Sequence, residues 1–285
     1  MAEAGPSFTA PEGACDIHFH VFGSLTDYPV RDPNPRYEPP LATVEHYRAF
    51  ADRVGIERMI FVQPSAYGSD NACQLDAVAE VGQDRARAVV GVENDVTDEE
   101  LDHLAERGAC GIRVNVGPIA PYRPGLREEV AEQVRVLVPR CQRLGWHLDF
   151  LFPEWLTEAF LPEFRELKLP FTIAHLGMFR AARGPEQPGF QQLLDLVANG
   201  DGYAWLKLTA PYRISDNPDL SDYVPMGQGA VETAPNRVLW GSDFPHVSHE
   251  DNDTVSLFNL LGSVTPSEQA IRQILVDNAV DFYGF

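Results

Sequence analysis

A chain of 285 residues with 42 acidic side chains against 22 basic ones carries a formal charge of −20 at pH 7, histidines neutral. Such a field repels nucleic acid and anionic membrane surfaces, which excludes both as partners. It leaves room for an anionic small molecule only where arginines are placed locally to receive it. Hydrophobic content of 44% and charged content of 22% are ordinary for a soluble globular chain of this length, large enough for one core.

Cys15, Cys73, Cys110 and Cys141 are widely spaced and form neither a CxxC nor a CxH pair. They read as small buried apolar residues in a reducing compartment. Residues 1–13 form an N-terminal tail without the basic and apolar regions of a signal peptide. No segment approaches the ~18 apolar residues of a membrane span. The expected location is cytoplasmic, and oligomeric state stays open, a homo-oligomer included.

Taken in order, the chain alternates short apolar runs with helical patterns. Strands are expected at Ala14–His18, Arg58–Gln63, Ala88–Glu93, Gly111–Val116, His147–Phe152, Phe171–His175, Ala204–Leu208 and Val238–Gly241. Most are continuous Val/Ile/Leu/Phe runs, the pattern of parallel strands covered on both faces. Gly55, Gly108, Gly145 and Gly200 fall where left-handed glycines would end the intervening helices. Thr97-x-x-Glu100 reads as a capping box, and Thr265-Pro266-Ser267-Glu268 as another with proline at the first helical position. Ile271, Ile274, Leu275 and Val280 then share one face of the last helix.

Eight β-then-α units without a composition break predict an α/β fold, a (β/α)8 TIM barrel spanning 1–285 as a single domain. The absence of Gly-x-Gly-x-x-Gly after the first strand argues against a dinucleotide fold. The irregular segment 21–42, with the Pro-rich run Tyr28–Pro40, follows that strand. It is expected on the catalytic face as a lid, with a surface excursion of no function as the alternative.

In a barrel the C-terminal ends of the strands meet at one mouth. His18 and His20 close the first strand, His175 the sixth, and Asp243 the eighth. Two uses fit three imidazoles and a carboxylate. They can hold one divalent ion with a position open for water. Alternatively, Asp243 acts as general base on a water while the imidazoles polarise a carbonyl oxygen. Arg113 on the fourth strand and Arg213 after the seventh suit bidentate recognition of a carboxylate. The bland alternatives are an Arg113–Glu93 core ion pair and a solvated loop charge at Arg213. His46, His103 and His249 sit in polar helix or loop contexts and carry little expectation of a role. His147 opens the fifth strand at the bottom of the barrel and reads as structural.

These residues resemble the amidohydrolase superfamily, and within it the branch of 2-pyrone-4,6-dicarboxylate lactonase and related sugar-acid lactonases and lactone isomerases. The matching stretches are Asp16-Ile17-His18-Phe19-His20-Val21-Phe22-Gly23, Val62-Gln63-Pro64-Ser65 with Gly68-Ser69-Asp70-Asn71, Gly111-Ile112-Arg113-Val114-Asn115, His175-Leu176-Gly177, Pro211-Tyr212-Arg213 and Trp240-Gly241-Ser242-Asp243-Phe244-Pro245-His246. They run through almost the whole chain in order. The resemblance implies a distorted barrel that hydrolyses a cyclic ester. It assigns water activation to Asp243, the lactone carbonyl to His18, His20 and His175, and a substrate carboxylate to Arg113 and Arg213. Tyr37 and Ser65 would add hydrogen bonds, with His246 beside Asp243. The pyrone dicarboxylate enzyme works without a metal, whereas many members of the superfamily require zinc. No cofactor is therefore obligatory, with one Zn2+ on His18, His20, His175 and Asp243 as the alternative.

The chain departs from that branch in its pocket. Met178 stands where the pyrone lactonase pattern has an arginine, Val116-Gly117-Pro118 replaces a basic residue, and Leu151 lies near the position of a tyrosine. A substrate with fewer or different carboxylates follows. Arg113 occupies the region of the superfamily's bridging lysine, which argues against a binuclear metal site. The expected activity is opening of a carboxylated lactone. Lactone isomerisation or metal-dependent decarboxylation on the same scaffold is the first alternative, and a ligand-binding barrel without turnover the second.

Overall fold

A computed structural model describes residues 5–32, 34–265 and 267–285. Eight parallel strands form one sheet in sequence order: β1 (Cys15–Phe19), β2 (Arg58–Val62), β3 (Ala86–Val90), β4 (Ala109–Asn115), β5 (His147–Leu151), β6 (Phe171–Ile173), β7 (Ala204–Leu208) and β8 (Val238–Trp240). The helices between them are α1 (Val44–Val54), α2 (Ala72–Val81), α3 (Asp98–Glu106), α4 (Leu126–Leu144), α5 (Glu154–Ala159), α6 (Leu161–Glu166), α7 (Pro188–Asn199), α8 (Tyr223–Thr233) and α9 (Thr254–Val264). The chain ends in α10 (Glu268–Arg272), a π-helical turn over Gln273–Asp277, and α11 (Asn278–Tyr283). This is the expected (β/α)8 barrel in one domain. None of its described helices is long and apolar enough to cross a membrane.

Each strand is buried on both faces, which is why the sequence shows apolar runs rather than alternation. The outer layer is aromatic around β5 and β6, where Phe150, Phe152, Phe160, Phe164 and Phe171 pack at centroid distances of 4.9–6.3 Å. Burying each ring contributes about 2 kcal/mol. A second cluster joins Cys15, Ile17, Ile60, Val62, Val89, Trp205 and Leu239 to Tyr283, so the C-terminal helix plugs one end of the barrel. His147 belongs to that end, its ring edge-on to Phe282 and Tyr283.

The capping box at Thr97 and Glu100 is present, and Gly55, Gly108 and Gly145 adopt left-handed φ values. Gly200 does not, at φ −73°. Glycine is needed there for space instead, since a Cβ would lie 2.4 Å from the Leu196 carbonyl oxygen. The last capping residue is Ser267 rather than Thr265, its hydroxyl accepting from the Ala270 amide. Pro266, the expected first helical residue, lies outside the described residues, as do Met1–Ala4 of the tail and Pro33 of the Pro-rich run. β3 ends at Val90, so Glu93 is exposed beyond it and makes no pair with Arg113. The tail is packed down from Ser7 onward, with Phe8 stacked 4.4 Å from Phe258 and the Ser7 amide donating to Asn259 Oδ1.

No ladder joins β8 back to β1 among the described strands. The seam is closed by single hydrogen bonds. The buried Asp16 carboxylate accepts from Tyr47 Oη at 2.9 Å and from the His18 and Ser242 amides at 3.1 Å. The Asp243 amide donates to His18 O and the His20 amide to Phe244 O, each at 2.8 Å. Gly241 permits this approach, because a Cβ there would sit 2.6 Å from the His18 nitrogen. Asp16→Ala strands three buried donors at once, so it is expected to destabilise the fold by about 3 kcal/mol or more. A shift in urea midpoint worth under about 1 kcal/mol would show that the seam closes without it.

Candidate active site

Seam closure sets the chemistry in place. His18 and His20 leave β1, His175 follows β6, and Asp243 follows β8 at a left-handed φ of 58°. His175 (φ 53°), Ala210 (φ 46°), His246 (φ 62°) and Ser248 (φ 64°) share that conformation. Non-glycine residues adopt it at a cost of order 1 kcal/mol each, and such strain gathers where side chains must be aimed. Here it aims three imidazoles at one carboxylate oxygen. The Nε2 atoms of His18, His20 and His175 lie 3.4, 3.6 and 3.9 Å from Asp243 Oδ1. The other oxygen, Oδ2, is held from behind by Tyr212 Oη at 2.5 Å and Arg213 Nε at 3.4 Å.

Burial alone would raise the Asp243 carboxyl. The facing His175 ring, the Arg213 cation and a hydrogen bond from His18 overcome it and hold the group well below the usual carboxylate range. Burial takes His175 down to about 3, so that ring is neutral near pH 7 and Arg213 is the cation that keeps Asp243 ionised. Burial lowers His18 and His20 as well, aided at His18 by the Lys207 charge and at His20 by Arg113.

The far side of each ring fixes which nitrogen carries the proton. His20 Nδ1 lies 2.7 Å from the Val62 carbonyl, which can only accept, so Nδ1 is protonated and Nε2 offers a lone pair to the centre. His18 is the reverse. Its Nδ1 lies 3.2 Å from Lys207 Nζ, an ammonium that can only donate, so Nε2 bears the hydrogen. His175 Nδ1 meets Thr209 Oγ1 at 2.7 Å, a hydroxyl that serves either role. Lys207 is fully buried and pairs with Asp149 at 3.0 Å, while Thr172 donates to the same carboxylate at 2.7 Å. Burial would raise Asp149, but Lys207 holds it far below the ordinary range.

Above the carboxylate opens a cavity with about 180 Å3 accessible to water, lined by His20, His175, Asp243, Arg113, Arg213, Tyr37 and Ser65, and also by Arg36, Asn115, Leu151 and His249. A neighbouring void behind Trp240 and Leu257 opens only about 10 Å3, too little for a ligand. Arg113 is buried, donates from Nη1 to Gln63 O at 2.5 Å, and leaves Nε without a partner. His246 turns away from the cavity. Its Nε2 meets Thr254 Oγ1 at 2.8 Å and its Nδ1 faces Tyr212 Oη at 3.3 Å, so it braces the tyrosine behind Asp243.

Four features here escape the sequence reading. Tyr212 was legible only as part of a motif, without its bond to Asp243. Lys207 and Asp149 had a signal, since each is a charge in the middle of an apolar strand, but their pairing needs the barrel. His249 reaches the cavity from a loop, and Arg36 does so from the segment 21–42. Neither has a fixed register in sequence.

A divalent ion is the other use of such a cluster. One donor atom each from His18, His175 and Asp243 lies within 4.8 Å of the others. A metal-bound imidazole normally donates its second N–H to an acceptor. His18 instead faces an ammonium and points a proton at the centre, so this set does not fit an ion in the arrangement seen.

Residues 15–285 match the family model described as amidohydrolase. A 4-sulfomuconolactone hydrolase from Hydrogenophaga intermedia is 36% identical over 97% of this chain and 90% of its own length. A 2-pyrone-4,6-dicarboxylate hydrolase from Comamonas testosteroni is 29% identical over 98% and 92%. An apo crystal structure from Agrobacterium tumefaciens superposes with a TM-score of 0.85 at 26% identity, covering 99% of each chain. The chain thus belongs to the amidohydrolase superfamily, in its 2-pyrone-4,6-dicarboxylate lactonase-like branch.

Proposed function

We propose that this protein hydrolyses an anionic, carboxylated lactone by direct attack of water, with Asp243 Oδ1 as general base and no metal. The observation that carries the reading is the convergence of three imidazole Nε2 atoms on one carboxylate oxygen on the floor of a cavity that also exposes arginines. The similarity to lactone hydrolases along the whole chain supports it.

The tautomers divide the work. His175, which lines the cavity, is the ring placed for the lactone carbonyl oxygen, while His18, fully buried behind the wall, points its Nε2–H at Asp243 Oδ1 because Lys207 occupies the other nitrogen. A preorganised donor in a dry site is worth roughly 10²–10³ in rate. His20 Nε2, a lone pair, suits the attacking water, whose second proton goes to Asp243 Oδ1. As the water oxygen bonds to the carbonyl carbon, the ring C–O bond breaks, and Asp243 returns its proton to the leaving oxygen. The product is an open chain with one new carboxylate, its proton released to solvent. Arg113 and Arg213 hold the substrate's anionic group, while Tyr212 and His246 keep the carboxylate aimed. The segment 21–42 acts as the lid, through Tyr37.

Asp243 is a weak base in the free enzyme because Arg213 lies against it. A substrate carboxylate drawn to Arg213 neutralises that cation and raises the basicity of Asp243 at the moment of binding. Recognition and activation are then one event.

Three outcomes are expected. With 4-sulfomuconolactone and 2-pyrone-4,6-dicarboxylate as the starting panel, loss of ring absorbance should be abolished by Asp243→Asn, with kcat down at least ~10³-fold. Intact turnover by that variant would remove Asp243 from the mechanism. Turnover should survive chelation within about twofold, and imidazole 15N shifts should place the proton on Nε2 of His18 and Nδ1 of His20. Activity lost on chelation and restored by zinc would overturn the metal-free reading.

The third outcome concerns pH. Burial takes His147 and His175 to about 3 and His246 to about 4 in the fold, against about 6.5 when unfolded. Below pH 6.5 the unfolded chain therefore binds more protons, and stability falls as pH drops towards 4. Asp16, raised to about 6 by burial, opposes this by taking a proton in the fold, but it is one group against three. The melting temperature should fall by at least ~5 °C between pH 7 and 5, measured calorimetrically. Over that interval kcat/KM should stay level, because Asp243 of the free enzyme remains ionised; a base titrating near 6 would show itself as about a tenfold loss.

A further inference from the structure

The segment between Phe22 and Ala42 closes on itself through a two-residue antiparallel bridge. It is stapled to the barrel by Tyr28 to Asp76 and by Arg31 to Asp70, both at 2.9 Å, and by the Arg31 amide to Ala66 O. Arg31 therefore has a carboxylate, and Arg36 does not. Arg36 donates from Nη2 to Val116 O at 3.0 Å and from Nη1 to Asn115 Oδ1 at 3.4 Å, both neutral acceptors. Among the described residues it joins no ion pair. In a chain with 42 acidic side chains, a cavity-lining guanidinium without one is a charge left for something else.

The site is shaped around it. Gly117, at φ +99°, lies under the guanidinium, and a Cβ there would fall 2.2 Å from Arg36 Nη1. Any side chain at 117 would displace the arginine from the mouth. The charged side chains on the cavity wall are Arg36, Arg113, Arg213 and Asp243, an excess of two positive charges, 3 − 1, before any histidine is counted. Arg36 sits over the end of β4, and Arg213 follows β7, three strands further round the barrel. Two anionic groups can thus be held at separate points of one ring.

We propose that Arg36 is a specificity residue: from the lid it receives a second anionic group, so that the site selects dianionic over monoanionic lactones. This rests on the lactone-hydrolase reading and names the substrate class for the same site. A guanidinium matches a sulfonate or carboxylate bidentately, and the stapled segment holds this one at the mouth before any ligand arrives.

The test compares 4-sulfomuconolactone with muconolactone, which lacks the sulfonate, in wild type, Arg36→Met, Arg36→Lys and Arg31→Met. The expected result is a KM for the sulfonated lactone raised at least ~10-fold by Arg36→Met, with kcat changed less than threefold. Muconolactone should be indifferent to the change, Arg36→Lys should restore part of the loss, and Arg31→Met should spare the difference between the lactones. A lid that is merely disordered by the substitution would harm both lactones equally, and that result overturns the inference. If wild type opens neither lactone, the hydrolase reading fails by itself. Calorimetric binding of the same pair then decides on Arg36. A dianion preference that Arg36→Met abolishes upholds the inference, and equal binding or none overturns it.

Discussion

The whole site hangs on how β8 is brought back to β1. The other seven strand pairs are parallel ladders, whereas this seam relies on a buried carboxylate and a few backbone bonds. Asp16 can be afforded in the interior because three donors satisfy it, and those donors belong to α1, β1 and the residue after Gly241. The same seam carries His18, His20 and Asp243. Closing the barrel and assembling the histidine–aspartate cluster are therefore a single structural act. A shift of one residue at the seam would move Asp243 away from all three imidazoles.

Charge is handled in layers. The surface is strongly acidic, the cavity wall is cationic, and the histidines between them are neutral by burial. Beneath the histidines lies one complete ion pair, Lys207 with Asp149, fully enclosed. A buried pair contributes little to stability, and often less than apolar residues of the same volume. Its use here is directional. An ammonium beside His18 Nδ1 dictates a tautomer, which a hydrophobic pair could not do. Thr172 on β6 and Thr209 just past β7 hold Asp149 and His175 in turn.

The barrel and the convergence of three histidines on one aspartate were legible because both are written locally. Apolar runs repeat eight times, four of the intervening helices end in a glycine stop, and His18, His20, His175 and Asp243 each interrupt such a run at its end, where a barrel gathers its strand termini. The Arg113–Glu93 pair was a reasonable alternative that failed on register, since β3 stops three residues short of Glu93. What stayed hidden was set by the closed sheet or by loops. Lys207 and Asp149 are adjacent only because β5, β6 and β7 lie side by side. Tyr212 reaches Asp243 through the turn after β7, and Arg36 reaches Gly117 through a loop whose path no periodicity describes. His246, three residues from Asp243 in sequence, meets Thr254 and Tyr212 instead of the cavity.

Arg213 joins these layers. It lies 3.4 Å from Asp243 and also lines the cavity, so it can satisfy the internal carboxylate or an external anion, but serves both only by sharing. Burial lowers Arg213, the Asp243 charge more than offsets that, and the two form an ion pair. In the proposed mechanism an arriving anion therefore competes with the general base for one guanidinium. Binding at the right place weakens the grip on Asp243 and makes it a better base, whereas a neutral lactone leaves Asp243 clamped and poorly basic. Selectivity for anions then appears in the chemical step as well as in binding, without any movement of the barrel. The proposed mechanism thereby gives a reason for setting a carboxylate that acts as a base beside an arginine at all: the arginine keeps it quiet until the substrate takes the arginine's place in the charge balance.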